Sequence, residues 1–283
     1  MNKEYIEFKR ERDLGSIISD AFKFIRLEGK QFFLSILKVA AIPIVVAVAS
    51  MIYYMISMSS IITEDASAAI GMIGSVFIMM IAYLVAIVFI NLAGMYYIKS
   101  YIDNKGVVNQ EEVLANTKAK FWSFTGFGIL AGLILFASAM LCVLPVFYTW
   151  PALSLGASIL VFQNETASGA VGKCFNFISG CFWEVFGVVF VVSILVSVLG
   201  YVFQIPAMIY QFAKMGLSMG SDDPAEVFGF FSDPIYLILN VVSIAGQLMF
   251  YSITLITNVF LYFDVNEKKN LTGTIERIDS LGQ

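Results

Sequence analysis

The chain has 283 residues, of which 59% are hydrophobic and 13% charged, with a formal net charge of −4. A soluble domain carries about 25% charged residues, so a chain with half that share and a mean hydropathy of +0.84 must turn most of its surface to lipid. The mild acidity gives no reason to expect nucleic acid, and the absence of histidine excludes Ser-His-Asp triads, Cys-His pairs, HExxH zinc sites and histidine-ligated haem.

In chain order, residues 1–31 read as a charged cytoplasmic lead containing an amphipathic interfacial helix. From Asp13 to Gly29, Leu14, Ile17, Ile18, Ala21, Phe22 and Ile25 share one helical face. No secretory signal peptide is visible, so the first apolar run is expected to be an uncleaved signal anchor. A bilayer-spanning helix needs about 20 apolar residues. Six such spans are expected, at 32–56, 70–98, 122–144, 146–163, 182–205 and 235–263, followed by a cytoplasmic tail at 264–283. The third and fourth spans read as a tight hairpin through Leu144-Pro145 and Trp150-Pro151. The fourth is short and rich in small residues.

Lys and Arg orient the set. Lys3, Lys9, Arg10, Arg12, Lys23, Arg26 and Lys30 precede the first span. Lys99, Lys105, Lys118 and Lys120 lie between the second and third, and Lys268, Lys269 and Arg277 follow the sixth. The opposite side carries Lys214 and the acids Glu64, Asp65, Asp222, Asp223, Glu226 and Asp233. This asymmetry predicts an even number of spans with both termini in the cytoplasm. The segment 207–233 between the last two spans is the longest irregular one, and Ser221-Asp222-Asp223-Pro224 in it reads as a helix start.

Three times an amphipathic segment leads into an apolar hairpin. The second such segment starts at Asn109, which with Glu112 forms the pattern of a capping box. The third runs from Asn164 to Gly180, with Val171, Cys174, Phe175 and Ile178 on one face. Phe121-Trp122 and Phe182-Trp183 sit alike where the chain enters the membrane. The fold class expected is an all-α polytopic membrane protein of three repeated units, each an amphipathic helix plus a helical hairpin.

The lead Asp13-Leu14-Gly15-Ser16-Ile17, continuing to Ala21-Phe22 and Arg26, resembles the opening of a bacterial membrane-domain family found attached to some glycerophosphodiester phosphodiesterases and also standing alone. Ala170 through Gly180-Cys181-Phe182-Trp183 and on to Phe186-Gly187 is similar to a second typical element of that family. The tail, from Phe260 through Lys268-Lys269 to Gly282, is similar to stand-alone members associated with Bacteroidota. The resemblance implies several spans with amphipathic helices and a bacterial inner-membrane location. It implies no phosphodiesterase activity, because in those enzymes catalysis belongs to a separate soluble barrel.

Within the spans, Lys38 and Glu184 are the candidates for an ion pair between the first and third units. The alternative is that each snorkels to the headgroups. Asn91, Asn240, Gln247 and Asn258 place amides in predicted spans, where they either line a polar cavity or bond a neighbouring helix. Gly128 and Gly132, four apart, fit a close helix contact. Cys142, Cys174 and Cys181, odd in number and without a CxxC, read as small packing residues. Asp13, Asp20 and Glu28 with Lys23 and Arg26 would be the cluster to inspect for an enzyme. No phosphate loop and no acid or base deep in a span is present.

No catalytic constellation, cofactor or metal site is expected. The chain reads as a non-enzymatic inner-membrane scaffold, assembly factor or accessory subunit. The alternative is a carrier or flippase-like protein for lipid or another apolar molecule. The partners expected are membrane lipids and other inner-membrane proteins.

Overall fold

A computed structural model describes residues 5–60, 66–141, 143–217 and 229–281. Among the described residues there are eight α-helices and no strand. They are α1 (Leu14–Ser60), α2 (Ala66–Asp103), α3 (Gln110–Leu141), α4 (Val143–Phe162), α5 (Ala167–Ile178), α6 (Phe182–Leu217), α7 (Pro234–Asn270) and α8 (Thr272–Leu281), with a short 3-10 turn at Gly229–Ser232. Six of them, α1 to α4, α6 and α7, are long and apolar enough to cross a membrane. The chain is an all-α polytopic membrane protein.

Three boundaries differ from expectation. The amphipathic segments of the first two units are the opening turns of α1 and α3, and only the third, α5, is a helix of its own. No proline stands where the first two run into their apolar stretches, and Gly29 at the first junction stays helical, so the hydrogen-bond ladder continues. α6 runs past the predicted end at 205 to Leu217, through Pro206, because residues 207–213 are again apolar. α4 starts at Val143, so both prolines of the predicted hairpin lie inside it, and Cys142 lies outside the described residues. So do Glu64, Asp65 and the predicted helix start at 221–224.

The chain divides into two compact units. The first comprises Met1–Val39, Val88–Leu195 and Ser252–Gln283; the second comprises Ala40–Ile87 and Val196–Tyr251.

In the first unit α1 begins at Asp13, whose carboxylate accepts the Ser16 backbone N–H, the usual N-cap arrangement. The stripe that α1 buries is Ile17, Ala21, Phe24, Glu28 and Phe32. It is rotated from the predicted face, leaving Leu14 and Phe22 exposed. α2 ends in a turn with Lys105 and Gly106 at positive φ, closed by the Gly106 N–H on Tyr101 O at 2.8 Å. Asn109 then caps α3, its side-chain oxygen accepting from the backbone of Glu111 and Glu112. The Asn109 N–H goes to Ser100 Oγ at 3.0 Å, so only half of the predicted box forms. α3, α4 and α5 pack together. Gly156 allows this: a Cβ there would lie 2.5 Å from the Phe127 ring.

An aromatic core fills this unit. Phe8 of the lead stacks on Phe260 with centroids 4.2 Å apart and meets Phe24 and Tyr101 edge-on. Phe32 meets Tyr97 edge-on, and Phe162 and Phe177 both stack on Tyr262.

The second unit is built from the remaining parts of α1, α2, α6 and α7. Met55, Ala207, Phe230 and Tyr236 form its buried core, with Met51, Tyr54 and Tyr210 packed around them. Gly246 of α7 takes the Phe203 ring of α6 where a side chain would overlap it, and Ser243 Oγ donates to Phe203 O at 2.7 Å.

Candidate functional site

Charge in the first unit is concentrated where the lead, α1, α6 and the end of α7 meet. Arg12 is buried, 5% exposed. Its guanidinium donates to Asp20 at 2.9 Å, to Phe8 O at 2.7 Å and to Glu7 O, and lies over the Phe260 ring at 4.6 Å. Burial lowers the Arg12 pKa, while its bond to Asp20 opposes that shift. Arg10 reaches the same Asp20 oxygen at 2.6 Å.

Asp264 is fully buried. It accepts the backbone N–H of Arg12 at 2.7 Å and the Lys268 ammonium at 2.9 Å. Lys268 in turn pairs with Glu184 at the start of α6. A chain of charge therefore runs Arg10–Asp20–Arg12, across a backbone bond to Asp264, and on through Lys268 to Glu184. A buried carboxylate is costly unless paired and hydrogen-bonded, and Asp264 is both.

Glu267, 2% exposed, caps α8 from the previous helix. It accepts the N–H groups of Gly273 at 2.7 Å and Thr274 at 2.8 Å, and the Thr274 hydroxyl at 2.6 Å. α8 is then held to the lead by Lys9–Glu276 at 2.5 Å and Arg277–Glu7 at 2.7 Å. Gly273 is required here, since a Cβ would overlap Lys9 O.

Beside this clasp opens a cleft of about 680 Å³, lined by Ser179 to Glu184 and by Lys268 and Lys269. Its shape follows from the turn between α5 and α6, where Gly180 adopts φ +90, a conformation that favours glycine. Trp183 stands at its edge, 79% exposed. Lys269 donates to Asn176 O at 2.9 Å. The Cys181 thiol is half-buried, and burial raises its pKa. Cys174 is buried and raised to about 11 by desolvation, which holds it as an inert thiol near neutrality.

The residues singled out from sequence meet different fates. Lys38 and Glu184 do not pair: Lys38 is exposed on α1, and Glu184 is engaged by Lys268. The partner was missed because the tail lysine lies 84 positions away. Gly128 and Gly132 make no close helix contact, because a Cβ at either would meet nothing within 4 Å. Gly156 and Gly246 do seat neighbouring side chains, as does Gly94, which faces Leu255 and Phe32. Asn91 is buried in α2 and Asn258 half-buried in α7. Asn240 bonds its own helix at Tyr236 O, 2.9 Å. Gln247 bonds Gln204 across helices at 2.6 Å.

Asp13, Asp20 and Glu28 do not converge. Asp13 caps α1, Asp20 holds the two arginines, and Glu28 accepts the Tyr97 hydroxyl at 3.3 Å. Among the described residues no three Cys, Asp or Glu side chains gather as a metal site. Comparison of the chain with protein-family models, with curated proteins and with solved structures finds no match.

Proposed function

We propose that this membrane protein is a non-enzymatic accessory or scaffold subunit of the bacterial inner membrane, with both termini cytoplasmic, that presents its clasped end to a partner protein. One observation carries the reading. The buried ionic groups Arg12, Asp264 and Glu267 are each met by the chain's own backbone and side chains, so they fix lead and tail as a rigid platform. The lysine and arginine asymmetry supports the orientation, and the family resemblance supports the membrane-domain part.

The cleft beside Trp183 is the docking point on this reading, an exposed aromatic beside two lysines. The test is purification in gentle detergent with mass spectrometry of proteins and lipids. A near-stoichiometric partner is expected. Its recovery should fall severalfold in Trp183→Ala combined with Lys269→Ala, while thermal stability holds. The cleft also favours a second reading, lipid handling, since Lys269 beside aromatic rings suits an acidic headgroup at the membrane interface, Lys268 being held by Glu184 and Asp264. One enriched anionic lipid class, lost in the same double variant with no protein partner present, would select that reading instead.

A further inference from the structure

The second unit holds two amides that its own structure leaves unanswered. On α6 residues 185–213, between Glu184 and Lys214, carry no charge; on α7 residues 234–263, between Asp233 and Asp264, carry none either. Each stretch is longer than the roughly 20 residues that cross a bilayer core. The two midpoints fall near positions 199 and 249. At about 1.5 Å per residue, Gln204 then lies roughly 7 Å and Gln247 roughly 3 Å from the centre of the hydrocarbon.

Gln247 Nε2 donates to Gln204 Oε1 at 2.6 Å. Gly200 lies beside the pair, the Gln247 Cγ standing at ordinary contact distance, 3.6 Å, from where a Cβ would be. Gln247 is nevertheless exposed and Gln204 only half-buried. On the Gln204 face, one turn to either side, Tyr201 and Met208 are exposed, so the pair stands on an exposed apolar face. The single bond leaves the Gln204 N–H groups and the Gln247 carbonyl oxygen without partners among the described residues. In hydrocarbon each such group costs several kcal/mol.

We propose that this amide pair is where a second copy of the chain binds in the membrane plane, carboxamide to carboxamide. A twofold interface needs a patch that complements itself, and a primary amide carries donors and acceptor in one group. The free donors of Gln204 in one copy match the free acceptor of Gln247 in the other, twice over. No charge on either stretch opposes the approach. Interhelical amide bonds of this kind hold membrane helices together. This inference does not rest on the accessory-subunit reading, and either could fail alone.

The test uses the full chain in liposomes, with fluorescently labelled copies counted at falling protein-to-lipid ratio. Wild type is expected to dimerise and to dissociate on dilution. Gln204→Leu and Gln247→Leu each remove two symmetry-related bonds, and should move the midpoint toward monomer by about tenfold, at roughly threefold per bond. A second measurement leaves both amides in place. In a background free of Cys142, Cys174 and Cys181, Met208→Cys lies one turn from Gln204 on the same face, and Val202→Cys on the opposite face. Met208→Cys should form a disulfide between copies far faster than Val202→Cys. The proposal is overturned by wild type that stays single at every ratio, with or without a retained lipid. It is overturned equally by leucine variants that dimerise as wild type does, or by cross-linking at Val202→Cys that matches Met208→Cys.

Discussion

The two units treat polar groups in opposite ways. The first buries Arg12, Asp264 and Glu267 and meets each with backbone and side-chain partners. The second has an apolar core of methionine, alanine and aromatic side chains. Its amides Gln204 and Gln247 are joined by one bond, with Gln247 exposed. A buried charge that loses its partner is far costlier than a lost neutral hydrogen bond. The first unit is therefore specified by a few irreplaceable contacts, and the second by many weak and interchangeable ones.

The strongest way to break this contrast is to remove one polar partner in each. Asp264→Ala should destabilise the protein by about 3 kcal/mol and free the lead for proteolysis near Arg12. Ser243→Ala, which removes the bond to Phe203 O, should cost about 1 kcal/mol. Unfolding in mixed micelles compares the two. Equal losses would mean that the clasp is dispensable.

A second comparison sets a seated glycine against an open one. Gly156→Val drives a side chain into the Phe127 ring and should cost about 1–3 kcal/mol. Gly128→Val meets open space and should change stability by less than about 0.5 kcal/mol. The same micelle assay reads both. A large loss at Gly128 would show that its face is covered in the membrane.

The smallest effect expected is on pH. Asp233 of the second unit accepts from the Tyr210 hydroxyl at 2.6 Å, which lowers its pKa, with further help from the Ile235 N–H and Lys214. A depressed carboxylate adds stability above its ordinary pKa of about 3.9 and loses it as pH falls through the folded value. The thermal midpoint of wild type should therefore exceed that of Asp233→Asn at neutral pH, and the gap should close in acid. Asparagine keeps the helix cap, so the cap cancels in this comparison and a gap unchanged by acid would overturn the assignment to the charge.

The spans were legible in the sequence because length and hydropathy alone decide them. What escaped is long-range pairing. Nothing in local spacing tells Phe8 to stack on Phe260 or Arg12 to meet Asp264. Lys38 and Glu184 are both charges near the start of a span, yet the lysine that reaches Glu184 comes from the last turn of α7. The apolar residues of α1 exceed what one face can hold, so packing and not periodicity decides which of them are buried. Gln247 is visible in the sequence as an amide within a span, but no local pattern ties it to Gln204.

The clasp also fixes an order of events. Asp264 is made 252 positions after Arg12. At ribosomal rates of about 5–20 residues per second, that interval is roughly 13–50 s. Throughout it Phe8 lacks the Phe260 ring on which it stacks and the Arg12 backbone N–H lacks the Asp264 carboxylate, although Asp20 and Phe24 follow within a few residues. The lead is thus among the last segments to complete its contacts, and an insertion factor or chaperone has that whole window in which to hold it.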